Sequence, residues 1–167
     1  KKVHCPVTWS DDEGKTWTQP VSPFVPPVLN GKQGAFMEAM LTATGHSSLT
    51  ACLYWVDYSD PGLPFFNEKT QGILHSIICK SCSNDGGATW SNPASVDLKQ
   101  FNDIIEPALT GPLLILKNGQ LACQFEVNKP YYSDIKWKHS AVLAFSSDGG
   151  KTWDAGHSVA ASDPKDR

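Results

Sequence analysis

The side chains best suited to chemistry are three glutamates, Glu38, Glu106 and Glu126, and two short runs of acids and aromatics. One run is Asp57, Tyr58 and Asp60; the other is Tyr131, Tyr132 and Asp134. Paired carboxylates can share acid/base or nucleophile work, and tyrosine rings can line a sugar site. His75 and His139 follow the two runs, and a matched histidine pair could bind a ligand. Repeated packing is the plainer reading of that pair. Each loop residue, taken singly, also fits an ordinary polar surface. The set is informative because its members recur in the same order in two stretches.

Something repeated must hold those stretches. Three turns share the pattern Ser-x-Asp-x-Gly-x-Thr-Trp: Ser10 to Trp17, Ser83 to Trp90 and Ser146 to Trp153. The Asp can cap turn N–H groups, Gly supplies the backbone freedom, and Thr and Trp suit the start of a returning strand. The aspartates Asp12, Asp85 and Asp148 are 73 and 63 residues apart, the size of a four-stranded unit with generous loops.

The spacing predicts three units. Residues 1–34 are the end of one, with strands at His4 to Trp9 and Thr16 to Val21 and a Pro-rich connection. Residues 35–99 are a complete unit, with strands at Phe36 to Thr42, Ser48 to Val56 and Ile73 to Ser81 and a fourth carrying Trp90. Residues 100–167 repeat it, with strands at Ile104 to Thr110, Gln120 to Val127 and Lys138 to Phe145 and a fourth after the last turn. Laid over each other, Glu38 to Thr42 matches Glu106 to Thr110. Ser48 to Cys52 matches Gly119 to Cys123, and His75-Ser76 matches His139-Ser140.

In such a unit the aspartate turns lie at one end of the strands. The loops after each second strand, and those between units, lie at the other. Glu38, Glu106, Glu126, the Asp/Tyr runs and the two histidines then gather on one rim, while Asp12, Asp85 and Asp148 are structural. His46 falls in a turn at the far end, and His4 and His157 have no visible context.

Composition excludes several classes. The 167 residues carry a net charge of −3, which does not indicate nucleic acid or an anionic membrane as partner. No apolar run is long enough for a transmembrane helix. Five cysteines cannot all pair within the chain. Cys79-x-x-Cys82 is half a zinc pattern without its other half, and on a strand the two thiols point apart. No nucleophile-elbow or phosphate-binding glycine loop is present. No metal or organic cofactor is implied.

The repeated turn resembles the Asp-box, or bacterial neuraminidase repeat, and with the unit repeat it makes the whole chain similar to a sialidase-superfamily β-propeller. The resemblance implies an all-β chain of about two and a half four-stranded antiparallel blades, part of a ring of about six. Either a longer chain or further copies of this one would complete the ring; a piece of a longer chain is the favoured expectation. The structural Asp-box residues would be Asp12, Trp17, Asp85, Trp90, Asp148 and Trp153. A secreted or cell-surface location follows from the resemblance alone.

Sialidases hold the substrate carboxylate with three arginines and use a Tyr–Glu nucleophile with an Asp acid/base. Within Ile105-Glu106-Pro107-Ala108-Leu109, Glu106 matches their glutamate. Glu126 stands where an arginine would close the next strand, and the only Arg is Arg167. The resemblance therefore implies a glycoside hydrolase for a neutral sugar, with Glu106 the first catalytic candidate and Glu38 and Glu126 next. Glu38 and Glu106 could form the glutamate pair that similar arabinanases use. Asp57, Tyr58, Asp60, Tyr131, Tyr132, Asp134, His75 and His139 would bind the carbohydrate. The alternatives are a non-catalytic Asp-box propeller that binds glycan or protein, and a sialidase whose arginines lie outside this chain.

Overall fold

A computed structural model describes residues 5–98, 105–137 and 139–154, and the backbone of 157–161. Every regular element among the described residues is a strand. In order they are Val28–Leu29 (β1), Lys32–Ala43 (β2), Leu49–Asp57 (β3), Ser76–Ser83 (β4), Ala94–Ser95 (β5), Glu106–Leu109 (β6), Leu114–Ile115 (β7), Leu121–Asn128 (β8), Ser140–Ser146 (β9) and His157–Ala161 (β10). They form two antiparallel sheets. The first runs β1-β2-β3-β4-β5, and the second runs β10-β9-β8-β6 with β7 also on β8. Each sheet is a meander, as a propeller blade requires.

Alternation along β3 explains how the blades stack. Ala51, Leu53 and Trp55 pack with Phe24, Phe36 and Cys79, under the N-terminal segment. Cys52, Tyr54 and Val56 point the other way and join Ile78, Cys123 and Phe125 in the core between the sheets. Both faces of β3 are thus buried, and Trp55 and Phe125 are each fully enclosed. Burying one such side chain contributes about 1.5–3 kcal/mol. Cys79 and Cys82 diverge: Cys79 lies in the first of these clusters, while the Cys82 thiol is 3.8 Å from the Thr50 hydroxyl.

The repeated turns are built alike. In the first, the Asp12 carboxylate accepts from the Thr16 amide at 2.8 Å and the Thr16 hydroxyl at 2.7 Å. The Ser10 hydroxyl donates to Asp12 and accepts from the Gly14 amide. Asp85 with Thr89, Ser83 and Gly87, and Asp148 with Thr152, Ser146 and Gly150, repeat that set. Gly14, Gly87 and Gly150 all sit at positive φ, near 83°, 95° and 81°, where a side chain would be strained. Hydrogen bonds to the ionised form hold all three carboxyls low, Asp85 at about 2.

The structure revises several sequence expectations. The two strands foreseen near His4 to Trp9 and Thr16 to Val21 reduce, within the described residues, to a single bridge between Val7 and Val21. Pro6 and Pro20 beside it offer no N–H to a ladder. Trp90 lies in the turn, ahead of a fourth strand of only Ala94–Ser95. Pairing with β4 continues through Ser91 and Val96 on either side of Pro93, which cannot donate. The inner strand of the second blade is split into β6 and β7, with Gly111 and Pro112 between them. A Cβ on Gly111 would lie 2.1 Å from the Gln124 amide nitrogen.

The repeat alignment shifts as well. Ser83 pairs with Leu49 and Ser146 with Leu121, so equivalent turns anchor equivalent positions. Counting from those anchors, Ala51 corresponds to Cys123, Tyr54 to Glu126, and Ser76 to His139. The matches of Cys52 with Cys123 and of His75 with His139 are each one residue out. In a strand, one residue means the opposite face. Cys52 and Cys123 do face opposite neighbours, since both point into the core between the blades. Glu38 lies opposite Tyr54, whose counterpart Glu126 lies opposite Ala108. Glu38 therefore corresponds to Ala108, and Glu106 and Glu38 are not equivalent positions.

Candidate functional site

The blade interface fixes which strand ends meet. At one end Lys80 donates to the carbonyls of Gly149 and Gly150, at 3.2 and 2.7 Å, so the aspartate turns share that end. At the other end the Ser76 hydroxyl donates to the Pro107 carbonyl at 2.8 Å. The rim is this second end. It carries the start of β2, the end of β3, the start of β4 and the start of β6.

Two rim loops are sewn together. The long loop after β3 crosses to the loop after β8. The Ile73 amide donates to the Lys129 carbonyl at 3.1 Å. Asn67 and Thr70 both donate to the Tyr131 carbonyl, at 2.9 and 2.6 Å. Gly72 permits this approach, because a Cβ there would lie 2.3 Å from the Pro130 carbonyl oxygen. The seam places Tyr132 of the second blade beside Asp57 and Asp60 of the first.

A cleft of about 390 Å³ results, with Lys32, Asp57, Ser59, Asp60, His75 and Tyr132 among its walls. Asp57 accepts from the Ser59 amide at 2.9 Å and lies 3.7 Å from the Lys32 ammonium. Burial opposes its ionisation, but Ser59 and Lys32 outweigh that and hold its carboxyl below the usual range. Asp60 accepts from the Gly62 amide at 2.9 Å, which shapes the loop. Tyr132 is 73% exposed, and its ring meets Tyr131 edge-on at 4.9 Å.

His75 forms the far wall. Its Nδ1 is 3.0 Å from Glu106 Oε2, and the same oxygen accepts from the Ser76 amide at 2.8 Å. Glu106 is only 6% exposed, whereas half of the His75 side chain is open to solvent. The Glu106 hydrogen bond raises the His75 pKa, and burial only partly offsets it. A carboxylate at Nδ1 favours the Nδ1–H tautomer and leaves Nε2 as the nitrogen for a ligand. Trp55 supports the ring edge-on at 6.1 Å. Beyond His75 lies a second cleft of about 450 Å³, lined by Asn30, Asp97, Leu98, Ile105 and Glu106 among others.

Of the residues singled out by sequence, Asp57, Asp60, His75 and Tyr132 share the first cleft, and His75 and Glu106 share the second. The others lie elsewhere. Tyr58 packs against the inter-blade core, Tyr131 is buried under Tyr132, and Asp134 is on the open surface. Glu38 is exposed on β2. Its charge and that of Glu106 both act on the buried Tyr54 phenol, which burial pushes well above its usual pKa. Glu126 is flanked by Phe125 and Val127, which are in the core, so alternation turns it to the other face. There its carboxylate lies 3.0 Å from His139 Nδ1, without the geometry of a hydrogen bond. Lys32, Asn30 and Asp97 were not anticipated. The only local signal for the first two is the Asn30-Gly31 turn, where both residues take positive φ.

This architecture is that of the sialidase-type β-propeller, seen here as neighbouring blades. The chain superposes on the structure of the Hadza microbial sialidase Hz136 with a TM-score of 0.65 and 19% identity, over 89% of this chain and 30% of that one. It superposes on a polysaccharide lyase of the new PL25 family, an ulvan lyase, with a TM-score of 0.60 and 10% identity, over 93% of this chain and 38% of that one. The chain thus spans less than two fifths of the length of either structure. No family model and no curated protein matches it. At these identities the likeness establishes the fold.

Proposed function

We propose that this chain supplies the sugar-binding rim of a sialidase-fold propeller that acts on a neutral glycan. The observation that carries this reading is the first cleft, where two carboxylates, an ammonium, an imidazole and an exposed tyrosine converge from two blades. Polar groups of this kind hydrogen-bond sugar hydroxyls, and an exposed ring can stack on a sugar face. Asp57 and Asp60 would repel a carboxylated sugar. The naming of the sialidase and the polysaccharide lyase as carbohydrate-active proteins agrees with this reading.

Within it, the reaction class is glycoside hydrolysis. His75 would hold or give a proton at Nε2. Glu106, buried behind it, is a positioning residue that fixes the ring and favours the protonated form. Asp57 and Asp60 orient hydroxyls, and Tyr132 walls the sugar. The three repeated turns have a supporting part only: the Asp12, Asp85 and Asp148 carboxylates are engaged within their own turns.

A second reading is a glycan-binding propeller without catalysis. It is favoured by the engagement of Glu106 with the Ser76 amide and His75, which ties that carboxylate into the blade interface. One panel separates the readings. The full chain is titrated with neutral, amino and acidic glycans, and the matching nitrophenyl glycosides are assayed for release. Binding with turnover of a neutral glycoside supports the hydrolase, and binding alone supports the second reading. Turnover of a sialoside would overturn the neutral-sugar assignment, and absence of any glycan binding would overturn both.

A further inference from the structure

We infer that the two rim clefts are adjoining subsites of one site, and that its ligand is a neutral or amino-sugar oligosaccharide running across His75. This rests on the proposed sugar-binding function and deepens it.

The two clefts have a common wall. His75 lines both, with Leu74 on the side of the first and Ser76 on the side of the second. At about 390 and 450 Å³, each is large enough for a small-molecule ligand. A shared wall half open to solvent is a ridge that a chain can pass over. The ridge is also rigid. Glu106 grips its ring from one side and Trp55 backs it on another. A fixed imidazole between two sugar-sized hollows fits a linkage oxygen better than a ring.

The clefts differ in character, which gives the ligand a direction. The first is polar, with Lys32, Asp57 and Asp60 and the open Tyr132 ring. The second has aliphatic walls from Ile78, Val96, Leu98 and Ile105, with Asp97 and Glu106 as its acids. A sugar presenting its hydroxyls suits the first, and one presenting an apolar C–H face suits the second. Across the two clefts together, four carboxylates against Lys32 and His75 disfavour an acidic chain.

The test uses the full chain and a series of neutral oligosaccharides of one to six units, with the matching amino and uronic-acid series, measured by calorimetry. The expected result is affinity that rises about tenfold or more from the monosaccharide to the di- or trisaccharide, and then levels off. Ser95→Trp, at an exposed position in the wall of the second cleft, should abolish that rise. Tyr132→Ala should weaken every length. Affinity independent of length, an unaltered rise in Ser95→Trp, or preference for the uronic-acid series would overturn the two-subsite assignment while leaving sugar binding standing. Failure of all three series to bind would instead remove the functional reading beneath it.

Discussion

His75 Nδ1 and Glu106 Oε2, 3.0 Å apart, join the third strand of one blade to the first strand of the next. The contact is structural and chemical together. Glu106 closes the blade interface through the Ser76 amide, and its hydrogen bond raises the pKa of the imidazole that divides the two clefts.

Replacing Glu106 separates those roles. Glu106→Gln keeps an acceptor for the Ser76 amide but removes the charge beside His75. The His75 pKa, followed by NMR titration of its ring protons, should fall towards the ordinary value of about 6.5. Because the folded-state pKa is raised, the pair's contribution to stability is full below the unfolded value and is lost as pH rises through the folded one. Wild type should therefore lose more stability than Glu106→Gln across that window. Glu106→Ala should cost about 1–3 kcal/mol in denaturant unfolding, since it strands a buried amide. An unmoved His75 titration in Glu106→Gln would refute the coupling.

The aspartate turns predict acid sensitivity of opposite sign. Their carboxyls titrate low in the folded state, Asp85 at about 2. Their contribution is present above the unfolded value of about 3.9 and is lost as pH falls towards 2. Asp85→Asn should be less stable than wild type at neutral pH, because its amide nitrogen cannot accept from the Thr89 hydroxyl. The gap should narrow as the pH drops through that window, as read by circular dichroism at a series of pH values.

Gly34 should not tolerate a side chain. A Cβ there would stand 1.9 to 2.3 Å from atoms of the Trp55 indole, which donates to the Pro27 carbonyl at 3.0 Å. Gly34→Ala must displace Trp55 and should cost about 1–3 kcal/mol, the usual range for overpacking. Because Trp55 also backs His75, the tryptophan emission and the His75 ring resonances should shift together.

Thiol reactivity should follow burial. Cys52, Cys79 and Cys123 are at most 1% exposed, and burial pushes Cys79 up to about 12. The partly exposed Cys82 should react first with an aromatic disulfide reagent, and the three buried thiols only on unfolding. Rapid labelling of Cys79 in the native protein would contradict the packing described.

The sequence alone determined the local structure. Ser, Asp, Gly, Thr and Trp at fixed spacing encode a turn whose hydrogen bonds close within eight residues, so no distant partner is needed to recognise it. Alternation in Leu49 to Val56 likewise marked a strand, and the turn spacing marked the blades. Register was less legible. Ala51-Cys52 and Ala122-Cys123 look alike, yet pairing with Ser83 and Ser146 sets them one residue apart, and only the ladder reveals which face each takes. The site was decided by tertiary structure. Tyr132 reaches Asp57 because Ile73, Asn67 and Thr70 bond to a loop about sixty residues away, and His75 meets Glu106 because two sheets stack. Such contacts depend on how whole sheets pack and twist, and no local pattern of residues carries that information.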